Sequence, residues 1–135
     1  MDKYAFELAA TLIGSFFGVL FLQSGWDKIV DRKGNLAWMV PHFEKSPFRG
    51  MVPILLSGLT VLELAAGLAN TGSAIGVWFG LPSDAPFFAL CLAGATLVAL
   101  FAGQRLAKDY AGAASLAAYF AALLAGLLLL APQFR

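Results

Sequence analysis

Charge is what this sequence has least of. Asp, Glu, Lys and Arg make up 13% of its 135 residues, where a soluble domain carries about 25%. Hydrophobic residues reach 60%, with a mean hydropathy of +0.79, a balance that excludes an ordinary soluble domain and marks a membrane protein. The formal net charge is only +1, so no whole-molecule field draws in nucleic acid and no nucleic-acid partner is expected. Cysteine is nearly absent: Cys91 stands alone in an apolar stretch, which excludes an intramolecular disulfide, a CxxC redox pair and a cysteine-built metal or cluster site. The single histidine, His42, lies in a polar link, where it reads as a solvated side chain, and haem has no histidine ligand in any apolar segment. No Ser-His-Asp set, phosphate-cradling glycine loop or metal-spaced cluster occurs. The chain is therefore not expected to be catalytic by itself or to carry an intrinsic cofactor or metal.

What is there is long apolar runs. Four segments, 4–29, 50–69, 86–106 and 111–131, are long enough to cross a hydrocarbon core as helices of roughly 20 residues. None alternates with period two, and backbone groups in lipid have to be satisfied within the segment, so helices are the expected spanning form. The fold class is all-α: one domain over 1–135, a four-transmembrane-helix bundle. The first segment reads as a retained span rather than a cleaved signal, because Met1-Asp2-Lys3 is a weak basic start and the apolar run exceeds the ~7–15 residues of a signal core. Between the first and second spans, DRKGNLAWMVPHFEKSPFRG is too polar to cross. Its Leu36, Trp38, Met39, Val40 and Phe43 predict a short interfacial helix, interrupted near Pro41 and lying along the membrane. The link 70–86 is expected to tuck against the bundle or the headgroups, with Ser83, Asp84 and Pro86 opening the third span.

Basic residues set an orientation. Lys28, Arg32, Lys33, Lys45, Arg49, Arg105 and Lys108 fall on one side, and Lys3 and Arg135 on the other. The positive-inside rule then puts both termini on the non-cytoplasmic side of a cell's inner membrane. Small residues supply the packing that lipid-embedded helices need: Gly14 and Gly18 form a GxxxG, and Ala114, Ala118, Ala122 and Gly126 a stripe at i+4 spacing, both read as buried faces.

The few polar residues collect at one depth. Gln23, Ser24, Asp27 and Lys28 end the first span, Gln104, Arg105 and Asp109 end the third, and Ser115 and Tyr119 open the fourth. Gln23 and Asp27 share one helical face, Ser24 and Lys28 an adjoining one, and a pairing of Asp27 with Arg105 across helices is geometrically reasonable. The group reads either as charges snorkelling to the interface or as a polar pocket that touches a headgroup, a quinone ring or a partner subunit. Glu63 stands apart. It lies about 14 residues, ~20 Å of helix, past Arg49, where a carboxyl has to find a hydrogen-bond partner or carry a proton. No partner at its depth is obvious from the sequence other than Thr11 or Ser15 on the first span.

The stretches LIGSFFGVLFLQSGWDKIVD and LTVLELAAGLAN resemble the DoxX family of small bacterial and archaeal membrane proteins. The first is similar to that family's opening span, ending in a small-Gly-x-x-Lys element, here Ser24-Gly25-Trp26-Asp27-Lys28. The second is similar to its next span, with an acid followed by a Gly-containing helix, here Glu63 and Gly67. The resemblance implies a four-helix bundle associated with oxidoreductases, the family taking its name from a quinone-linked thiosulfate-oxidising enzyme, and it singles out Lys28 and Glu63. On this basis the expected role is an accessory or anchoring subunit of a membrane-bound redox complex, packed against larger and cofactor-bearing subunits as well as the lipid bilayer, with quinone or lipid contact at the polar cluster. A proton-coupled transporter or channel using Glu63, and a quinone-reactive oxidoreductase subunit, are the alternatives.

Overall fold

The computed structural model describes residues 1–134; Arg135, counted above among the basic residues, lies outside the described residues. Helix α1 runs Lys3–Val30, α2 Arg32–His42, α3 Val52–Gly76, α4 Ala85–Leu106 and α5 Tyr110–Leu130, with short 3₁₀ turns at Val77–Phe79 and Pro132–Phe134. Four of these, α1, α3, α4 and α5, are long and apolar enough to cross a membrane. The chain thus has the architecture of a multi-pass membrane bundle, and among the described residues it has no strand.

Local sequence explains most helix ends. The Asp2 carboxylate accepts the Ala5 N–H at 2.8 Å, Asp31 accepts that of Gly34 at 3.2 Å and Asp109 that of Gly112 at 3.1 Å, each filling an orphan donor at a helix start. Pro53 occupies the first turn of α3, and Pro86 that of α4, where a missing N–H costs nothing. The α4–α5 turn is closed by Lys108, whose φ of 60° puts a non-glycine residue in the left-handed region as the Asp109 N–H reaches back to the Gln104 carbonyl. Helix α2 follows α1 after Asp31 alone, and Pro41 falls within its last turn rather than breaking it.

One span is longer than its hydropathy suggested. Helix α3 continues to Gly76, two turns beyond Ala69, so 70–76 is helix and the true link is the short stretch from Gly80 to Asp84. Asn70 is the reason the apolar pattern misled. Its side chain is fully buried, and its Nδ2 donates to the Ala66 carbonyl at 2.8 Å and across to the Ala89 carbonyl of α4 at 3.0 Å. A polar residue that looked like a loop is an interhelical tie.

The four long helices are neighbours in chain order, each antiparallel to the next, with the α1–α3 seam the most extensive and the closing α5–α1 contact sparser. Close approach in that seam depends on glycine. A Cβ on Gly14 would stand 2.8 Å from the Asn70 carbonyl oxygen, one on Gly18 would overlap the Thr71 hydroxyl, and one on Gly67 would stand 2.8 Å from the Leu22 nitrogen. The GxxxG of α1 therefore packs as expected. The α5 stripe does not: Gly126 is buried against Ile13 and Leu90, but Ala114 and Ala118 are exposed. The buried face of α5 runs instead through Ala113, Leu123, Gly126 and Leu130.

The main core stacks Phe17, Phe21, Leu90, Leu97 and Leu123 along the bundle axis. A second cluster of Met39, Phe43, Val52, Leu56 and Ala107 seats α2 and the turn after it over the end of the bundle where α3 begins. Gly67→Ala is expected to lower stability by about 1–3 kcal/mol through overpacking against Leu22. Gly72→Ala, at a position open on all sides, should leave stability unchanged or raise it through helix propensity. Thermal unfolding of both variants in one detergent checks the contrast.

Candidate functional site

At the α2 end of the bundle Lys28 turns inward. Side chains on a helix lean toward its N-terminus, so a residue two positions before the end of α1 points back along its own helix, into the bundle, unless it swings outward to the interface. The α1–α3 register supplies the destination. Gly18 faces Thr71 and Gly25 faces Leu64, so Glu63 lies opposite the turn that Lys28 leans over. The ammonium donates to the two Glu63 carboxylate oxygens at 3.2 and 3.1 Å and to the Ser24 hydroxyl at 3.0 Å. Glu63 is fully buried and the Lys28 side chain is 15% exposed. All three ammonium protons are thereby engaged, and the pair brings no net charge into the apolar interior.

This corrects two expectations. Glu63 does not bond Thr11 or Ser15, which lie on the far half of α1: Thr11 donates to the Ala74 carbonyl at 3.2 Å and accepts from the Trp78 indole at 2.7 Å, and Ser15 is exposed. Helix α3 begins only at Val52, not at Arg49, so Glu63 sits about 16 Å along its helix and within reach of the end of α1. Nor does Asp27 pair with Arg105. Asp27 and Gln23 are exposed, on the face of α1 turned from the bundle, and the Arg105 guanidinium stacks 4.6 Å from the centre of the Tyr110 ring instead. Asp109 is committed to capping α5.

Of the remaining cluster, Gln104 and Tyr119 do join the pair. Ser24, Lys28, Glu63, Gln104 and Tyr119, with the apolar Leu20, Phe21, Leu97, Leu100 and Leu116, line a cavity of about 210 Å³ among α1, α3, α4 and α5. A second cavity of about 140 Å³ adjoins it through Lys28, Leu100 and Gln104 and extends under α2, past Asn35, Trp38, Met39 and Phe43. The Gln104 carboxamide makes no hydrogen bond to the protein among the described residues, and its Oε1 is buried without a partner against Gly112. An unmet buried acceptor costs about 1–3 kcal/mol. The cavity therefore combines a neutralised ion pair, unused amide and hydroxyl groups, and an apolar wall, the composition of a site for a small polar head.

Comparison with protein-family models, curated proteins and solved structures finds no match to this chain. The geometry alone speaks for the site.

Five buried polar residues escaped sequence reasoning: Thr60, Ser73 and Thr96, whose hydroxyls bond carbonyls of their own helices, and Asn70 and Glu7. Asn70, taken for link, ties α3 to α4 and keeps an unpartnered Oδ1. Glu7, 6% exposed, sits 3.8 Å from Lys3 near the opposite end of α1. For Glu7 the position inside an apolar run was the available signal, whereas Asn70 stands among the loop-like residues Gly72 and Ser73. His42 is exposed, its ring stacked on Trp38 with centroids 4.1 Å apart.

Breaking the pair is expected to be asymmetric. Lys28→Met strands a carboxylate deep in α3 and should cost about 3–5 kcal/mol. Glu63→Leu should cost less, because the freed lysine can swing to the headgroups. The double variant should recover most of the Lys28→Met loss, and unfolding in detergent of the wild type and three variants measures it.

Proposed function

We propose that the chain is a DoxX-type integral membrane protein acting as an accessory subunit of a membrane-bound redox complex, where it offers a quinone or lipid head a polar cavity beside the Lys28–Glu63 pair. The observation that carries this reading is the buried, unbonded Oε1 of Gln104, a residue in the wall of that cavity. The residues fit a quinone ring: Gln104 and Tyr119 hold side-chain hydrogen-bonding groups with no protein partner among the described residues, and Leu97, Leu100 and Leu116 give the apolar wall a ring requires. A bound quinone supplies electron-carrying capacity, and the chain's own part is to bind and orient it. Lys28 and Glu63 keep the site neutral yet polar. Electrons come from cofactor-bearing partners, which dock on the wide apolar faces left outside the bundle, with Leu12, Ile54, Val61 and Leu128 among their exposed residues.

A second reading has support in the full burial of Glu63, an ionisable group inside a membrane span. In a proton-coupled transporter Glu63→Gln would abolish pH-dependent flux in reconstituted vesicles; unchanged flux removes this reading. The two polar cavities both lie toward the α2 end, which favours a binding site over a through path.

The test of the main reading is gentle extraction from the native membrane followed by mass spectrometry. Recovery with a haem-, flavin- or iron–sulfur-bearing subunit is the expected result, and a monodisperse free protein contradicts it. With the α2 end cytoplasmic, as the basic residues imply, a C-terminal alkaline phosphatase fusion should be active and a C-terminal green fluorescent fusion dark.

A further inference from the structure

The cavity beside Lys28 and Glu63 has a neighbour on the lipid side. A groove of about 320 Å³ between α4 and α5 is lined by Leu97, Val98, Phe101, Leu116, Ala117 and Phe120. Leu97 and Leu116 belong to both linings, so these two side chains form the wall that stands between the polar cavity and the apolar groove. Val98, Phe101 and Ala117 are exposed on the outer surface of the bundle, so the groove opens to the hydrocarbon and not to water. A polar compartment inside, with an apolar trough one side chain away outside, suits a head on a single long tail once the Leu116 side chain turns aside.

The chemistry of the head follows from which groups are already engaged. Lys28 has all three protons bonded, to Glu63 twice and to Ser24 once, so a ligand carbonyl obtains no ammonium donor without displacing one of them. The Gln104 side-chain amide nitrogen and the Tyr119 hydroxyl are also unbonded among the described residues, but the one unmet group in this cavity that is shut away from water is the acceptor Oε1 of Gln104. The terminal torsion of a glutamine turns softly, which lets that oxygen leave Gly112 and meet a donor in the cavity. With no net charge at the site, a charged head would be desolvated without a counter-ion.

We infer that the cavity and the α4–α5 groove form one laterally entered site for a neutral amphiphile whose hydroxyl-bearing head meets Gln104 while its tail lies along Leu97, Phe101 and Ala117. The inference rests on the ligand-site reading above and adds the route, the head chemistry and the residue that selects it. Two sources share this chemistry, a reduced quinone and a neutral hydroxylated lipid.

The experiment uses the full chain in phosphatidylcholine nanodiscs with a reduced hydroquinone bearing a ten-carbon tail and a diazirine at the tail's end. Its dimethyl ether, the tail-less hydroquinone and monooleoylglycerol serve as comparison probes. Expected are photo-adducts on Val98, Phe101, Ala117 or Phe120, and binding weakened about tenfold both by Gln104→Leu and by methylation, the loss set by one buried hydrogen bond. Ala117→Trp should weaken the tailed probe and leave the tail-less one unaffected; Ala117→Leu replaces it if the larger side chain prevents insertion. Adducts spread evenly over the lipid-facing surface, or affinity indifferent to Gln104→Leu, overturn the inference. Adducts at Asn35 and Trp38 with Gln104 dependence overturn the lateral route while sparing the quinone reading. Gln104-dependent binding of monooleoylglycerol alone upholds the inference and removes the quinone reading.

Discussion

A fully buried glutamate in a chain with this little charge depends on one lysine facing inward. Lys28 stands close enough to the end of α1 to reach the headgroups, and an outward rotamer would leave Glu63 as an unpaired acid inside the membrane. The tilt of helical side chains toward the N-terminus and the antiparallel register of α1 on α3 bring the ammonium to the carboxylate instead. A pair of this kind is a weak source of net stability, since desolvating two ions offsets much of their attraction. Its effect is to fix which face of α1 looks inward, and with it the polar wall of the cavity.

The register itself rests on small residues. Gly14, Gly18 and Gly67 let α1 and α3 approach until backbone atoms nearly touch, and without a hydrophobic drive between helices in lipid that contact is a main source of association. Asn70 then carries the alignment from α3 to α4 through its bond to the Ala89 carbonyl. The α4–α5 side is built differently, from Leu97, Leu116, Phe120 and Leu123, and it is there that the lipid-facing groove remains. Glycines serve that side too, Gly94 against Leu123 and Gly126 against Leu90, but there they meet side chains rather than backbone.

Much of the architecture was legible in the sequence because hydropathy over twenty residues is a strong signal. The four spans, the helix between the first two, and the GxxxG seam could all be read. The end of α3 could not, since Asn70, Gly72, Ser73 and Gly76 look like a loop until Asn70 and Ser73 are seen to be buried. For the site, Lys28, Glu63, Gln104 and Tyr119 were each singled out, but their association was not. Pairing needs the register between helices, and on an apolar helix nothing local decides whether the Ser24–Lys28 face or the Gln23–Asp27 face turns inward. Hence Asp27 and Arg105 were joined in expectation and are apart in the fold, and for Glu63 the sequence offered only Thr11 or Ser15, which lie in the other half of α1.

The central claim is the contact between the Lys28 ammonium and the Glu63 carboxylate, and a distance measured in the bilayer tests it most directly. With lysine Nζ labelled by ¹⁵N and glutamate Cδ by ¹³C, magic-angle-spinning dipolar recoupling should show strong dephasing at Glu63, as contacts of 3.1 and 3.2 Å require, and Lys28→Met should abolish it. Absence of that dephasing in the wild type, with the protein folded in lipid, would contradict the account.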